Sequence, residues 1–172
     1  MNQSSELFVR KLHENQWVFL PDIGTFFNQD LSQAFKMIDS LNNAGVLFIK
    51  GEILINNFCS DKALQEVYYT HDGSKKEFYQ DLLDRKVLNK KDYEKLFTYA
   101  KSLGMHVVVS VYDFEGARLA RDLNVAAIKI ASQNIVHGPL IKYCASLSLP
   151  MIIDTGRVGL EEISRAFSWA RD

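Results

Sequence analysis

The chain has 172 residues, of which 47% are apolar and 24% charged, a composition typical of a folded globular domain and not of a disordered segment. Twenty basic and 21 acidic residues leave a net charge of −1, which argues against general binding to nucleic acid or to anionic membranes. No apolar run approaches the roughly 20 residues of a membrane span, and two cysteines are too few for a disulfide framework. We therefore expect a cytoplasmic protein that binds neither nucleic acid nor a membrane.

Short apolar runs and helical patterns alternate along the chain. The runs predict buried parallel strands at residues 17–20, 46–49, 107–109, 126–128 and 151–153. Between them, apolar residues at helical spacing predict helices that begin near Asp30, Asp113 and Pro139. The same spacing predicts helices over residues 93–103 and 160–167. Residues 1–16 fit either a short helix or a hairpin.

This alternation predicts an α/β fold of parallel βα units with right-handed crossovers. Five units can be counted. An open doubly wound sheet accepts five strands, whereas a closed (β/α)₈ barrel needs eight strands and about 250 residues, and periodicity alone leaves both open. Residues 51–90 are a long insertion after the second strand, with a predicted turn at 71–74 and a predicted helix over 75–88. No linker divides the chain, so residues 1–172 are interpreted as a single domain.

Polar side chains follow all five predicted strands, at the end of the sheet where parallel α/β folds carry their chemistry. They are Asp22, Lys50, Glu52, Ser110, Lys129, Ser132, Asp154 and Thr155. Lys129 is the clearest signal, because Ile128 and Ile130 face the opposite side of a strand under a period of two. Lys129 is therefore predicted to point to the inner face of the sheet.

A buried ammonium group is costly unless an anion pairs with it. Two lysines in one cleft, Lys50 and Lys129, would suit a phosphate or carboxylate ligand. Pairing within the protein, of Lys50 with Asp22 or Glu52 and of Lys129 with Asp154, explains them equally well. The histidines lack metal-ligand spacing, so no metal ligand is predicted in this chain. A Schiff-base aldolase that uses Lys129 is disfavoured, because a nearby carboxylate stabilises the charged lysine over the neutral nucleophile.

Taken in chain order, the strand-end motifs resemble those of the sialic acid synthase family, the phosphoenolpyruvate-dependent nonulosonate synthases. Lys-Ile-Ala-Ser at residues 129–132 is the most specific match. Four other motifs resemble the family's Glu-Ile-Gly, Asn-Gly-Asp-Leu, Val-Lys and Thr-Pro-Phe-Asp: they are Asp-Ile-Gly at 22–24, Asn-Gln-Asp-Leu at 28–31, Ile-Lys at 49–50 and Ser-Val-Tyr-Asp at 110–113. The resemblance extends from about Trp17 to Asp172.

The resemblance implies a TIM-type (β/α)₈ barrel of which about five units are present. It also implies a condensation of phosphoenolpyruvate with the aldehyde of an N-acyl amino sugar, which yields a nine-carbon keto sugar acid and releases phosphate. Lys50 and Ser110 would then hold the carboxylate end of phosphoenolpyruvate, Lys129 and Ser132 its phosphate, and Asp22 would contact the sugar or order the attacking water. A divalent metal ion, manganese or magnesium, is implied as well, with ligands on later strands that are not in this chain.

Two residues at the strand ends depart from the family pattern. Glu52 stands where the family has glutamine, and Asp154 where it has serine. We count Glu52, Asp154 and Thr155 among the substrate-binding candidates, although two added carboxylates would oppose a dianionic ligand or neutralise the lysines. The alternative function is therefore a binding or assembly protein without catalysis. Because five strands leave open sheet edges, we expect a homo-oligomer or a missing C-terminal half.

Overall fold

The computed structural model describes residues 1–14, 16–58, 61–63, 65–70, 73–156 and 158–171. In chain order they form α1 (Gln3–His13), β1 (Asp22–Gly24), α2 (Leu31–Asn43), β2 (Phe48–Ile53), β3 (Gln65–Thr70), β4 (Gly73–Phe78), α3 (Tyr79–Asp84), α4 (Lys90–Ser102), β5 (His106–Val111), α5 (Phe114–Asp122), β6 (Ala127–Ile130), α6 (Gly138–Ser146), β7 (Met151–Ile153) and α7 (Leu160–Arg171). A single 3₁₀ turn, Ser132–Asn134, precedes α6.

Five strands form one parallel sheet in the order β1-β2-β5-β6-β7. This order follows the chain, so each helical crossover moves one strand further in the same direction. A TIM-type barrel is built in this way, whereas the strand order of a doubly wound sheet reverses at a switch point. The predicted α/β class is confirmed, and the sheet corresponds to five of the eight strands of a TIM-type barrel.

The helices begin where capping chemistry predicts. Oδ1 of Asp30 accepts the backbone N–H of Gln33 at the start of α2, and Oδ1 of Asp113 accepts that of Gly116 at the start of α5. Pro139 lies in the first turn of α6, where its missing N–H has no cost. Helices α4 and α7 cover the other two predicted ranges. No helix in the described ranges combines the length and the hydropathy that a membrane span requires.

The first predicted strand is wrong. Residues 17–20 are not in a strand, and β1 consists of Asp22–Gly24 instead. Trp17 and Phe19 are exposed, while Val18 and Leu20 pack against a small apolar cluster that also contains Phe8 of α1. The segment at residues 17–20 therefore packs on the sheet through every second side chain but forms no strand of it.

The segment between β2 and α4 also differs from the prediction. Instead of a helix over residues 75–88, β3 and β4 form an antiparallel hairpin in which Gln65 pairs with Phe78. Helix α3 covers only the six residues after this hairpin. Cross-strand pairing satisfies the backbone of β4, and this tertiary contact overrides local propensity. The predicted turn includes His71 and Asp72, which lie outside the described residues.

The two faces of the parallel sheet pack differently. The outer face packs against the helices through a row of aliphatic residues: Ile49, Ile53, Val107, Val109, Val111, Ile128 and Ile130. On the inner face, Phe48, Val108 and Ala127 pack against α1, where the rings of Phe8 and Phe48 meet edge to face. Helix α1 therefore covers the N-terminal part of the inner face and leaves the C-terminal part to polar side chains.

Candidate functional site

Polar side chains occupy the inner face near the C-terminal ends of the strands. Glu52 of β2 lies opposite Ser110 of β5, which in turn lies opposite Lys129 of β6. Lys50 lies on the same face, two residues before Glu52. This arrangement follows from the period of two, since the residues on either side of Lys129 belong to the outer core. The structure therefore brings the two lysines of the sequence prediction to one face, with β5 between them.

Lys50 is buried and paired with carboxylates. Its side chain is 9% exposed, and its Nζ lies 2.6 Å from Oδ2 of Asp22 and 3.6 Å from Oε1 of Glu52. The other oxygen of Asp22, Oδ1, accepts the backbone N–H of Gly24 at 2.8 Å. Gly24 has a φ of +46°, and an added Cβ would lie 3.1 Å from the ring of Phe26. A glycine is therefore suited to the turn that orients the Asp22 carboxylate.

Lys129 makes a matching pair at the other side of the sheet. Its Nζ lies 2.7 Å from Oδ2 of Asp154, and Oδ1 of Asp154 accepts the backbone N–H of Gly156 at 3.1 Å. The hydrogen bond from Lys129, followed by that from Gly156, lowers the pKa of Asp154 below its ordinary value, and the charge of Lys50 adds to the effect.

Ser110 lies between the two ion pairs. It is 1% exposed and lies in register with Glu52 on one side and Lys129 on the other. A buried hydroxyl group normally has a partner, and this one can both donate and accept. Ser110 therefore contributes a hydroxyl group to the inner face between the two lysines.

The two remaining candidates lie at the rim of this face. Ser132 begins the 3₁₀ turn after β6, and its Oγ is 3.6 Å from the position that a Cβ on Gly156 would take. Ser132 is thus adjacent to the turn that carries Asp154. Thr155 belongs to the same turn and is exposed to solvent.

Other residues near the strand ends were not predicted from the sequence. A cleft of about 90 Å³ is lined in part by Glu52, Tyr79, Lys86, Tyr112 and Gln133. Tyr79 and Lys86 follow the hairpin that the sequence did not reveal, so no periodic signal identifies them. Tyr112 could have been found, because it stands two residues after Ser110 and continues the same alternation.

Tyr93 of α4 positions the end of β2. Its hydroxyl group accepts the backbone N–H of Leu54 at 2.8 Å and donates to the carbonyl oxygen of the same residue at 3.2 Å. Burial raises the pKa of Tyr93 well above its ordinary value, so the hydroxyl group stays protonated. The backbone just beyond Glu52 is therefore tied to the outer helix layer.

The residues present do not fit the divalent metal that the resemblance implies. The described part of the chain holds no group of three or more His, Cys, Asp or Glu side chains that could bind a metal ion. The carboxylates of the inner face are in contact with lysines, and His106 lies at the opposite end of its strand, with Nδ1 2.8 Å from Oγ of Ser4.

Sheet order and site together define a class of protein: a TIM-type βα protein with a polar, lysine-containing face at the C-terminal ends of its strands. Comparison with known proteins narrows this class. The model of the NeuB family matches residues 37–172, and the chain belongs to the NeuB family. The resemblance to sialic acid synthases found in the sequence is thereby confirmed.

Individual relatives agree with this assignment. The chain is 26% identical over 152 residues to the N,N'-diacetyllegionaminic acid synthase of Campylobacter jejuni, covering 88% of this chain and 46% of that protein. It is 26% identical over 145 residues to the enzyme of the same name from Legionella pneumophila, covering 84% and 41%. The chain therefore spans less than half the length of these relatives.

A solved structure shows the same fold. The N-acetylneuraminic acid (sialic acid) synthetase of Leptospira borgpetersenii, determined in complex with citrate, has a TM-score of 0.77 to this chain. The two are 21% identical, and the match covers 91% of this chain and 51% of the synthetase. At this identity the likeness concerns the fold alone.

Proposed function

We propose that this chain forms the first βα units of a nonulosonate synthase. The reaction would condense phosphoenolpyruvate with the aldehyde of an N-acyl amino sugar, give a nine-carbon keto sugar acid and release phosphate. The observation that carries this proposal is the presence of Lys50 and Lys129 on one inner face with the buried Ser110 between them. Membership of the NeuB family and relatives named as legionaminic acid synthases support the substrate class.

In this proposal the two lysines bind the two ends of phosphoenolpyruvate. Lys50 and Ser110 hold the carboxylate group, while Lys129 and Ser132 hold the phosphate group. Two strand spacings, about 10 Å, separate β2 from β6, and long lysine side chains reach inward from both strands. A small molecule with two anionic groups a few ångströms apart therefore fits between the ammonium groups.

The remaining candidates act on the second substrate. Asp22 contacts the sugar or orders the attacking water, and Glu52, Asp154 and Thr155 line the region around it. In the reaction, C3 of phosphoenolpyruvate forms a bond to the aldehyde carbon, whose oxygen takes up a proton. Water adds to C2, and the tetrahedral intermediate then expels phosphate and leaves a keto group. Two cysteines are too few for a disulfide framework, which favours the reducing cytoplasm as the location of this chemistry.

Completion of the site requires further structure. In the described part of the chain, β1 and β7 each have a strand on one side only, and open edges of a parallel sheet need cover. We propose that further βα units or a second copy of the chain supply it. The molar mass of the 172-residue chain, measured by light scattering, tests the second possibility. A monomer in solution would contradict cover by a second copy.

Phosphate release tests the proposed reaction. The full-length protein is incubated with phosphoenolpyruvate, manganese and each of several N-acyl hexosamines, and free phosphate is measured. We expect release with at least one sugar and its loss in Lys50→Met and Lys129→Met. The matched control is Lys91→Met, since Lys91 is an exposed lysine on α4. Absence of release across the sugars would reject the proposal.

A second candidate function is binding without catalysis. It is favoured by one observation, that both lysines already pair with carboxylates of the protein. This candidate predicts that an N-acyl hexosamine binds in calorimetry while no phosphate is released from phosphoenolpyruvate. Release of phosphate at a rate that depends on Lys129 contradicts it.

A further inference from the structure

Among the described residues, the charges of the inner face oppose a dianion that enters while all three carboxylates stay in place. Two ammonium groups, those of Lys50 and Lys129, face three carboxylates, those of Asp22, Glu52 and Asp154. These five side chains together carry one excess negative charge. In a partly buried site, like charges within a few ångströms repel strongly. A phosphate group that enters without displacing a carboxylate is therefore opposed.

The two lysines differ in how firmly they are held. Lys50 has two carboxylates within salt-bridge distance, at 2.6 and 3.6 Å. Among the described residues, Lys129 has one, at 2.7 Å, and its side chain is 23% exposed compared with 9% for Lys50. An incoming anion can therefore replace the carboxylate on Lys129 more easily than those on Lys50. An incoming anion therefore competes with Asp154 for the ammonium group of Lys129.

Asp154 is also held in place by its own turn. Oδ1 accepts the Gly156 N–H, which leaves Oδ2 directed at Lys129. The carboxylate thus takes one of the three N–H donors of the ammonium group and places a negative charge beside any phosphate group that binds the others, next to Ser132 and Ser110. Displacement of Asp154 costs both the ion pair and the turn contact, so the penalty falls on every ligand that brings an anion to Lys129.

We propose that Asp154 is the specificity-determining residue of the anion subsite, an internal counter-ion that weakens the binding of phosphate groups at Lys129. The inference deepens the proposed function and rests on it for the nature of the ligand. It assigns the site a preference for ligands with less negative charge at this position. Exchange of Asp154 for an uncharged residue opens the subsite to phosphate.

Isothermal titration calorimetry with inorganic phosphate tests this inference on the full-length protein. The main variant is Asp154→Asn, which keeps an oxygen for the Gly156 N–H and removes the charge, and Asp154→Ser is a second variant in case the first folds poorly. We expect at least about tenfold tighter binding of phosphate than in the unaltered protein. The matched control Glu94→Gln removes an exposed carboxylate on α4, and we expect its affinity to stay within about twofold. Thermal unfolding confirms that each variant is folded.

Three results would overturn the inference: unchanged or weaker phosphate binding in both Asp154 variants, an equal gain in Glu94→Gln, or a gain that persists when Lys129→Met is added to Asp154→Asn. The measurement needs no turnover. Failure of the proposed function appears separately, as missing phosphate release from phosphoenolpyruvate by the unaltered protein. A gain in affinity without any turnover therefore leaves the role of Asp154 intact and rejects only the reaction.

Discussion

Asp22 and Asp154 make matching hydrogen bonds at the two edges of the parallel sheet. Asp22 lies on β1 and Asp154 directly follows β7, and in each case Oδ1 accepts the N–H of a glycine two residues later. In each case Oδ2 contacts the lysine of the neighbouring strand, at 2.6 Å for Lys50 and 2.7 Å for Lys129. The inner face is therefore bounded on both sides by an aspartate–lysine pair with the same local geometry.

The two pairs should differ in their contribution to stability. The side chain of Lys50 is 9% exposed and contacts two carboxylates, so we expect Lys50→Met to lower the free energy of unfolding by about 1–3 kcal/mol. The side chain of Lys129 is 23% exposed and contacts one carboxylate among the described residues, so a loss below about 1 kcal/mol is expected for Lys129→Met. Urea denaturation measures both, with Lys91→Met as the exposed control. Equal losses in the two variants would contradict the difference in burial.

Gly51 of β2 should not tolerate a side chain. An added Cβ would lie 2.9 Å from the ring of Phe97, which is buried and stacked on Tyr93. We expect Gly51→Ala to lower the free energy of unfolding by about 1–3 kcal/mol, because the ring must move within a packed layer. In the control Gly156→Ala the added Cβ would lie 3.4 Å from its nearest atom, Oδ1 of Asp154, which is an ordinary contact. This substitution should therefore change the free energy of unfolding little. Urea denaturation measures the stability of both variants. Similar values for Gly51→Ala and Gly156→Ala would contradict the close approach of Phe97 to Gly51.

Acid should reduce the stability that Asp154 provides. Lys129 and the Gly156 N–H lower the pKa of Asp154 in the folded protein below the ordinary value of 3.8. The carboxylate therefore stabilises the fold above about pH 4, and this contribution is lost as the pH falls toward the lower folded pKa. The difference in unfolding free energy between the unaltered protein and Asp154→Asn should shrink from pH 6 to pH 3. A difference that stays constant over this range, or that Glu94→Gln reproduces, would count against the assignment.

Helix α1 should contribute strongly to stability through one ring. Phe8 is 4% exposed and lies with its centroid 5.5 Å from that of Phe48 on the inner face. We expect Phe8→Ala to cost about 3–5 kcal/mol in the free energy of unfolding, whereas Leu12→Ala on the exposed side of the same helix costs little. Thermal or urea denaturation provides the comparison. A small effect of Phe8→Ala would mean that α1 does not cover the sheet in solution.

Cys144 should react slowly as long as the protein is folded. It is a buried free thiol on α6, and burial raises its pKa to about 12. Because the thiolate is the reactive form, labelling with a thiol-specific disulfide reagent at pH 8 should be slower by on the order of a hundredfold than after unfolding in guanidinium. The experiment uses Cys59→Ser, so that Cys144 is the one thiol present. Rapid labelling of the folded variant would show that α6 does not bury this residue.

Several parts of the fold could be predicted because their causes are local. Asp30 and Asp113 cap α2 and α5 through contacts within one turn, and Pro139 lies in the first turn of α6. Lys129 could be assigned to the inner face because a strand alternates its side chains with a period of two and isoleucines flank the lysine. The strand-end motifs also carried the resemblance to the sialic acid synthase family, which the NeuB family match confirms.

Other parts depend on contacts between distant segments. The run at residues 17–20 has the composition of a strand, yet it lies over the sheet, because its alternate side chains complete the cluster around Phe8. The hairpin β3–β4 replaces a predicted helix because each strand supplies the hydrogen-bond partners of the other. Local propensity cannot report such pairing.

Spacing of nearby residues was enough to predict the alternation of βα units, the starts of α2 and α5 and the inward direction of Lys129. The sequence left two explanations of the lysines open, an anionic ligand or pairing within the protein, and the three-dimensional structure shows the pairing. Lys50 contacts both Asp22 and Glu52, and Lys129 contacts Asp154, 25 residues further along the chain. Spacing predicts the direction of a side chain, whereas the distance to its partner depends on the sheet order and on the turns at the sheet edges, which bring together residues from separate strands.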